Sequence, residues 1–154
     1  MWFSRKQVPK VPPVAAAAGA RPTRPLSGQV TTKSRGDAAE SAARAYLGRA
    51  GLRFVEANYR TPGRGGGEID LVMRARDGTL VFVEVRQRAD DSHGGAAASI
   101  STAKQQRIVF AARHYLMRFA SPPPCRFDVV LVTGALGDKA GAAIEWLPAA
   151  FDAS

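Results

Sequence analysis

Residues 67–88, GEIDLVMRARDGTLVFVEVRQR, constrain the fold more than any other stretch of the chain. Two runs rich in Val, Ile, Leu and Phe flank Asp77-Gly78, the pattern of a β-hairpin closed by a tight turn. Side chains alternate along a strand. Glu68, Asp70, Val72 and Arg74 are therefore expected on one face, and Ile69, Leu71 and Met73 on the other. In the second run Phe82, Glu84 and Arg86 share a face, opposed by Val81, Val83 and Val85. The loop decides whether the acidic faces coincide. A two-residue Asp77-Gly78 loop opposes Asp70 to Val85 and sends Glu84 to the other side. A three-residue loop, with Gly78 in the left-handed position of a G1 bulge, opposes Asp70 to Glu84 and Glu68 to Arg86. This second register also gathers the apolar side chains on one common face, and it is the one expected.

Carboxylates opposed in that register lie about 5 Å apart. At an effective dielectric of about 20 they repel by about 3 kcal/mol. A proton or a cation has to relieve that repulsion, and a hard divalent ion, Mg²⁺ or Mn²⁺, suits oxygen ligands. The alternative is a cross-strand Glu68–Arg86 ion pair with the other acids on a solvated face.

The rest of the chain reads as one domain, residues 34–152, behind a tail, residues 1–33. The tail holds five prolines and an alanine run without hydrophobic period, and reads as disordered. Seven of the 22 basic residues and no acid fall in residues 1–35, which leaves 15 basic residues against 13 acidic ones in the remainder. The net charge of +9 thus resides largely in the tail and is poor support for nucleic-acid binding by the domain. The tail reads as a passive leader or as an electrostatic arm.

A helix is expected near residues 36–50, capped by Asp37 and stopped at Gly51. A strand follows at 52–60, then a glycine loop at 63–67, the hairpin, a loop at 89–99 and a long helix near 101–119. Ile108, Val109, Ala112, Leu116 and Phe119 recur at helical spacing in that helix. A buried strand is expected at 125–134 and a short edge strand over 144–147. The order αβββαββ gives an α/β fold with a mixed sheet flanked by helices. No apolar run approaches the roughly 20 residues of a membrane span. The single cysteine, Cys125, excludes an intramolecular disulfide, fits a reducing cytoplasm, and reads as core. His93 and His114 have no partners at zinc-ligand spacing. The run GRGGG lacks the lysine and the strand-to-helix context of a phosphate-binding loop, and serves ligand access or simply turns the chain. Asp128 is expected to pair with Arg126 on its own strand; Tyr46, Leu47 and Trp146 read as core.

GEID followed by VEVR resembles the core motif of the PD-(D/E)xK restriction-endonuclease-like superfamily. Over residues 35–133 the chain more closely resembles the YraN-like family of uncharacterised bacterial proteins. The matching pieces are GDAAESAARAYLGRAG, ANYRTPGRGGGEIDLV, LVFVEVRQR, the start of the long helix with Lys104, and RFDVVLV. The resemblance implies an αβββαβ restriction-endonuclease-like core and a metal-dependent nuclease acting on DNA, with branched or damaged structures among its substrates. It implies that Asp70 and Glu84 ligate Mg²⁺ or Mn²⁺ and that Glu40, on the first helix, touches the ion or its water. Glu40 also stands in a capping-box-like Asp37-Ala-Ala-Glu40. Glu68 would be an additional or outer acid, and Lys104, Arg107 and Arg64 would meet nucleic-acid phosphates; Lys104 and Arg107 read equally as solvated charges. A dimer would suit cutting of two strands. The departure is Arg86, where the superfamily pattern has lysine. Arginine does not lose its proton in a protein, but it can stabilise charge on a phosphate. Two further readings follow: a nucleic-acid-binding module with a degenerate site, and a protein-interaction domain using its exposed helix.

Overall fold

The hairpin closes through three residues. Ala75 N–H donates to the Thr79 carbonyl at 2.9 Å, Gly78 N–H donates to the Ala75 carbonyl at 3.0 Å, and Gly78 has φ +91°. Asp77 Oδ1 fixes the turn by accepting from Thr79 N–H at 2.9 Å. The register that results pairs Leu71 with Val83, Val72 with Phe82, Met73 with Val81 and Arg74 with Leu80, as expected for the three-residue loop.

The computed structural model describes residues 31–88, 100–134 and 143–153. They form α1 (Thr32–Arg49), β1 (Arg53–Arg60), β2 (Glu68–Arg74), β3 (Leu80–Arg88), α2 (Thr102–Leu116), β4 (Cys125–Thr133) and β5 (Ala143–Phe151). The five strands make one mixed sheet in sequence order. Only β3 and β4 are parallel, which is the pair that α2 connects. This is the expected α/β class with an αβββαβ core, extended by β5. No helix among the described residues is long and apolar enough to cross a membrane.

Each helix covers a different face of the sheet. Ala39, Ala43 and Leu47, spaced four apart on α1, pack on Leu71, Met73, Val81, Val83, Val130 and Val132. Ile108, Val109, Ala111, Ala112 and Tyr115 of α2 pack on Ile69, Val72, Leu80, Phe82 and Phe127. The hairpin is therefore apolar on both faces, not on one as the sequence reading has it. Helices on both sides of a sheet leave no solvated face for polar alternation.

Some boundaries differ from expectation. α1 begins at Thr32, so Asp37 lies inside the helix and does not cap it. Its end is as expected: Gly51, φ +103°, forms a Schellman motif, with Leu52 N–H donating to the Leu47 carbonyl and Gly51 N–H to that of Gly48. β5 runs to Phe151 because a bulge at Ala149, φ +50°, lets it continue. Cys125 is exposed and not core, since it opens β4 beyond the helical cover. Asp128 pairs with Arg126 as expected, at 3.1 Å. It is also fully buried and accepts from Trp146 Nε1 and from Ala149 N–H, both at 2.9 Å, so it holds the β5 bulge closed. The readings of residues 1–30 as a disordered tail and of 89–99, with His93, as a loop fall outside the described residues.

Candidate functional site

The regular alternation of β1 and β2 breaks at one level. Asn58 has φ +54° and would face Asp70 in the β1–β2 register. On one side of this level Ala57 and Leu71 pack toward α1; on the other, Tyr59 and Ile69 pack toward α2. Both strands exchange faces here. Ile69 consequently does not share a face with Leu71 and Met73, contrary to simple alternation.

The break brings Asp70 to the seam between β2 and β3. Its Oδ2 accepts from Val85 N–H at 2.8 Å. Its carboxyl lies beside that of Glu84, which is only 3% exposed. Burial, then the Asp70 charge, pushes Glu84 up to about 7. Burial likewise raises Asp70, although the Val85 amide opposes the shift. The two acids titrate as a unit.

Two further groups meet this pair. Ser101 caps α2 by accepting from Lys104 N–H at 3.1 Å, which sets Lys104 in the first helical turn. α2 then runs back over β3, with Tyr115 against Phe82 at a ring separation of 5.7 Å and Lys104 above Glu84. Lys104 Nζ lies 3.0 Å from Glu84 Oε1. From α1, Glu40 comes within electrostatic reach of Asp70, and burial together with that charge pushes it up to about 7. The nearby Asn58 amide opposes the shift.

Asp70, Glu84, Glu40 and Lys104 thus converge, as three acids and one cation. Lys104, partly exposed, is paired with Glu84. Glu68 pairs with Arg60 at 3.3 Å, and this replaces the Glu68–Arg86 ion pair considered above. Arg86 shares the Glu84 face of β3 and is half-buried. Arg107, one turn beyond Lys104, and Arg64, in the β1–β2 loop, are exposed and lie outside the acid cluster. The glycines of that loop serve packing: a Cβ on Gly67 would meet the Arg107 carbonyl oxygen at 1.9 Å, and one on Gly66 would meet Thr61 Oγ1 at 2.1 Å. Thr61 clasps the loop base, with Oγ1 accepting from Gly67 N–H at 2.8 Å. His114 is hydrogen-bonded to the Tyr59 hydroxyl.

The donor set suits a hard cation in part. Two adjacent oxygen donors with raised proton affinity fit Mg²⁺ or Mn²⁺, but among the described residues no three acid, histidine or cysteine side chains close into a complete shell. Glu40 therefore stands outside the inner pair. Asn58 escaped the sequence reading. Its signal was an asparagine within a strand, a residue depleted there and tolerant of left-handed backbone.

A family model described as "Uncharacterised protein family UPF0102" matches residues 39–132, a span that holds Glu40, Asp70, Glu84, Arg86, Lys104 and Arg107. The chain belongs to this family. A UPF0102 protein of Polaromonas naphthalenivorans (strain CJ2) is 75% identical over the whole length of both chains. One from Polaromonas sp. (strain JS666 / ATCC BAA-500) is 74% identical, again over both whole lengths. A third, from Paracidovorax citrulli (strain AAC00-1), is 65% identical over 81% of this chain and 87% of its own. The resemblance to the YraN-like uncharacterised family is thereby borne out.

Proposed function

We propose that this UPF0102 member is a divalent-metal-dependent nuclease acting on DNA, with branched structures the first substrates to test. The observation that carries the reading is the buried placement of Asp70 and Glu84 side by side, with Lys104 Nζ 3.0 Å from Glu84 and burial raising the proton affinity of both acids. A structural ion pair would place one acid against one base; two acids beneath one ammonium form a site that a dication can satisfy. The likeness of GEID and VEVR to the PD-(D/E)xK motif, on an αβββαβ core, points the same way.

Asp70 and Glu84 would hold Mg²⁺ or Mn²⁺, with Glu40 at the outer side. A bound ion of this kind neutralises phosphodiester charge and promotes ionisation of water. Lys104 supplies the ammonium that the superfamily pattern places two residues after the glutamate, where this chain has Arg86. Once released from Glu84, it can donate to a phosphate oxygen and stabilise charge that grows during attack. Arg86, permanently charged, serves the same phosphate as a hydrogen-bond clamp. Arg64 and Arg107, both exposed, would meet backbone phosphates. We place the protein in the cytoplasm, in keeping with its single exposed cysteine.

The test is cleavage of junction, nicked and single-stranded DNA in Mg²⁺ or Mn²⁺ by wild type, Asp70→Ala and Glu84→Ala. Cleavage by wild type and none by either variant supports the reading. Arg86 and the incomplete shell favour one alternative, a nucleic-acid-binding module that turns nothing over. DNA binding without cleavage in any divalent ion establishes that module and refutes the nuclease.

A further inference from the structure

We propose that a groove on the outer flank of α2 takes one unpaired base of a single-stranded DNA arm, with Phe110 as its stacking platform. The inference rests on the reading of the protein as one that acts on DNA, and it names the feature that would set a branched substrate apart from a continuous duplex. The groove encloses about 360 Å³. One wall is α2, with Gln105, Gln106, Val109, Phe110 and Arg113. The other is the stretch after β5, Asp152 and Ala153. Arg113 Nη2 donates to the Ala153 carbonyl at 3.3 Å and so ties the two walls together. Gln106, Phe110 and Arg113 are spaced three or four apart and share one side of the helix. Lys104, two residues before Gln106, points to the other side, onto Glu84. The groove and the acid pair thus flank the same helix, which is about 10–12 Å across. An arm leaving the acid pair meets the groove at Gln105, in the turn that also carries Lys104.

The lining selects the occupant. Phe110 is 54% exposed, beside the buried Val109. An apolar side chain from another protein would cover Phe110, but it would also strip water from Gln106, Arg113 and Asp152 without replacing their hydrogen bonds. A nucleobase suits both kinds of lining. Its face stacks on an aromatic ring, and its edge carries donors and acceptors. Gln105 is already oriented, since its Nε2 donates to the Ile100 carbonyl at 3.2 Å and leaves Oε1 to accept. Asp152 can only accept. Two acceptors on the groove favour a base with an exocyclic amine, cytosine or adenine. Arg113 is bonded to a carbonyl oxygen and keeps its charge for the phosphate beside that base. A paired base inside a duplex is stacked on both faces and offers none to Phe110, so the groove distinguishes an arm from a continuous duplex.

The experiment is fluorescence anisotropy of the full chain, in chelator and at one fixed salt concentration, with a blunt duplex and with the same duplex carrying a short single-stranded deoxycytidine arm. Wild type, Phe110→Ala and Phe110→Trp are compared, with thermal melts and light scattering alongside. Wild type should prefer the armed duplex. Phe110→Ala should cut that preference about tenfold, and Phe110→Trp should keep it, because tryptophan restores the platform. Phe110 is exposed, so the melting temperatures should agree closely. No preference for the armed duplex in wild type, or an unchanged preference in Phe110→Ala, overturns the assignment and leaves the nuclease reading standing if wild type cleaves DNA. A wild-type dimer that Phe110→Ala converts to monomer assigns the face to a second copy of the chain and likewise overturns it. Arm binding that depends on Phe110, without cleavage in any divalent ion, keeps the groove and refutes the nuclease. A wild type that binds neither DNA overturns both.

Discussion

Glu84→Gln should make the metal-free protein more stable at pH 8, which is the opposite of what removing a buried ion pair does. Glu84 is pushed from 4.5 up to about 7 in the folded chain. Between these values the native state binds a proton that the unfolded state has released. Stability therefore falls as pH rises through that window, is unaffected below it, and has lost the full amount above it. The shift corresponds to about 3 kcal/mol, and with Glu84 almost wholly buried solvent screening does little to reduce it. The attraction of Lys104 is already contained in that figure, because it opposes the shift. Glutamine keeps the shape of the protonated acid and has no proton to lose. Denaturant unfolding in chelator at pH 5 and pH 8 is the assay. Wild type should lose about 3 kcal/mol more than Glu84→Gln across this interval, and Mn²⁺ at pH 8 should restore wild type while leaving the variant unchanged. Because Asp70 and Glu84 interact, the proton affinity of Asp70 will relax in the variant, so the pair and not one residue is being measured. If Glu84→Gln is instead less stable than wild type at pH 8, Glu84 is an ordinary partner of Lys104 and the argument for a cation site is refuted.

Lys104→Met removes a positive charge 3.0 Å from Glu84 and should tighten Mn²⁺ binding by calorimetry, while lowering DNA cleavage about a hundredfold; weaker Mn²⁺ binding would contradict its placement as a competing cation. Asp128→Ala leaves the Trp146 and Ala149 donors and Arg126 without their acceptor, and should destabilise the fold by about 3 kcal/mol in urea with Mn²⁺ affinity unchanged. Arg107→Ala should weaken DNA binding without altering Mn²⁺ affinity and reduce the slope of log K against log salt by about one; an unchanged slope removes Arg107 from the phosphate path.

The hairpin was legible because its turn chemistry is local: Asp77 and Gly78 dictate a three-residue loop, and the loop dictates which residues oppose each other. Gly51 announced the end of α1 for the same reason, since few other residues accept its backbone conformation. The start of α1 was not legible. Asp37 has the chemistry of a cap, but nothing in the sequence prevents Thr32–Gly36 from continuing the helical turn. The faces of Ile69 and Tyr59 were hidden because alternation assumes unbroken strands, and one left-handed residue in the middle of β1 reverses it. Of the site, the neighbourhood of Asp70 and Glu84 followed from the loop register, whereas the break that turns Asp70 to the seam did not. Glu40 came from resemblance, since its approach to Asp70 depends on how α1 lies across the sheet. The pairing of Lys104 with Glu84 was not legible, because a helix face can be read from sequence whereas the strand residue beneath it cannot.

The placement of Lys104 changes what Arg86 means. Read along the strand, arginine two residues after Glu84 looks like the loss of the one lysine the motif needs. In the fold, the need is for an ammonium near the acid pair, and the element that delivers it is immaterial. α2 leaves the sheet after β3 and returns antiparallel over it, so its first turn arrives at the level of Glu84 while Tyr115, three turns on, reaches Phe82. Ser101 fixes where the helix starts, and hence which residue of the first turn meets the acid. Arginine at 86 can then remain permanently charged, because Lys104 supplies an ammonium at the acid pair. Arg86→Lys alone should therefore alter cleavage little, whereas Arg86→Lys combined with Lys104→Met should recover a substantial part of the activity that Lys104→Met loses. Rescue of this kind, read by single-turnover cleavage of a junction substrate, distinguishes a relocated lysine from a degenerate site. If Arg86→Lys restores nothing to the Lys104→Met protein, Lys104 acts by some means other than its charge at the acid pair.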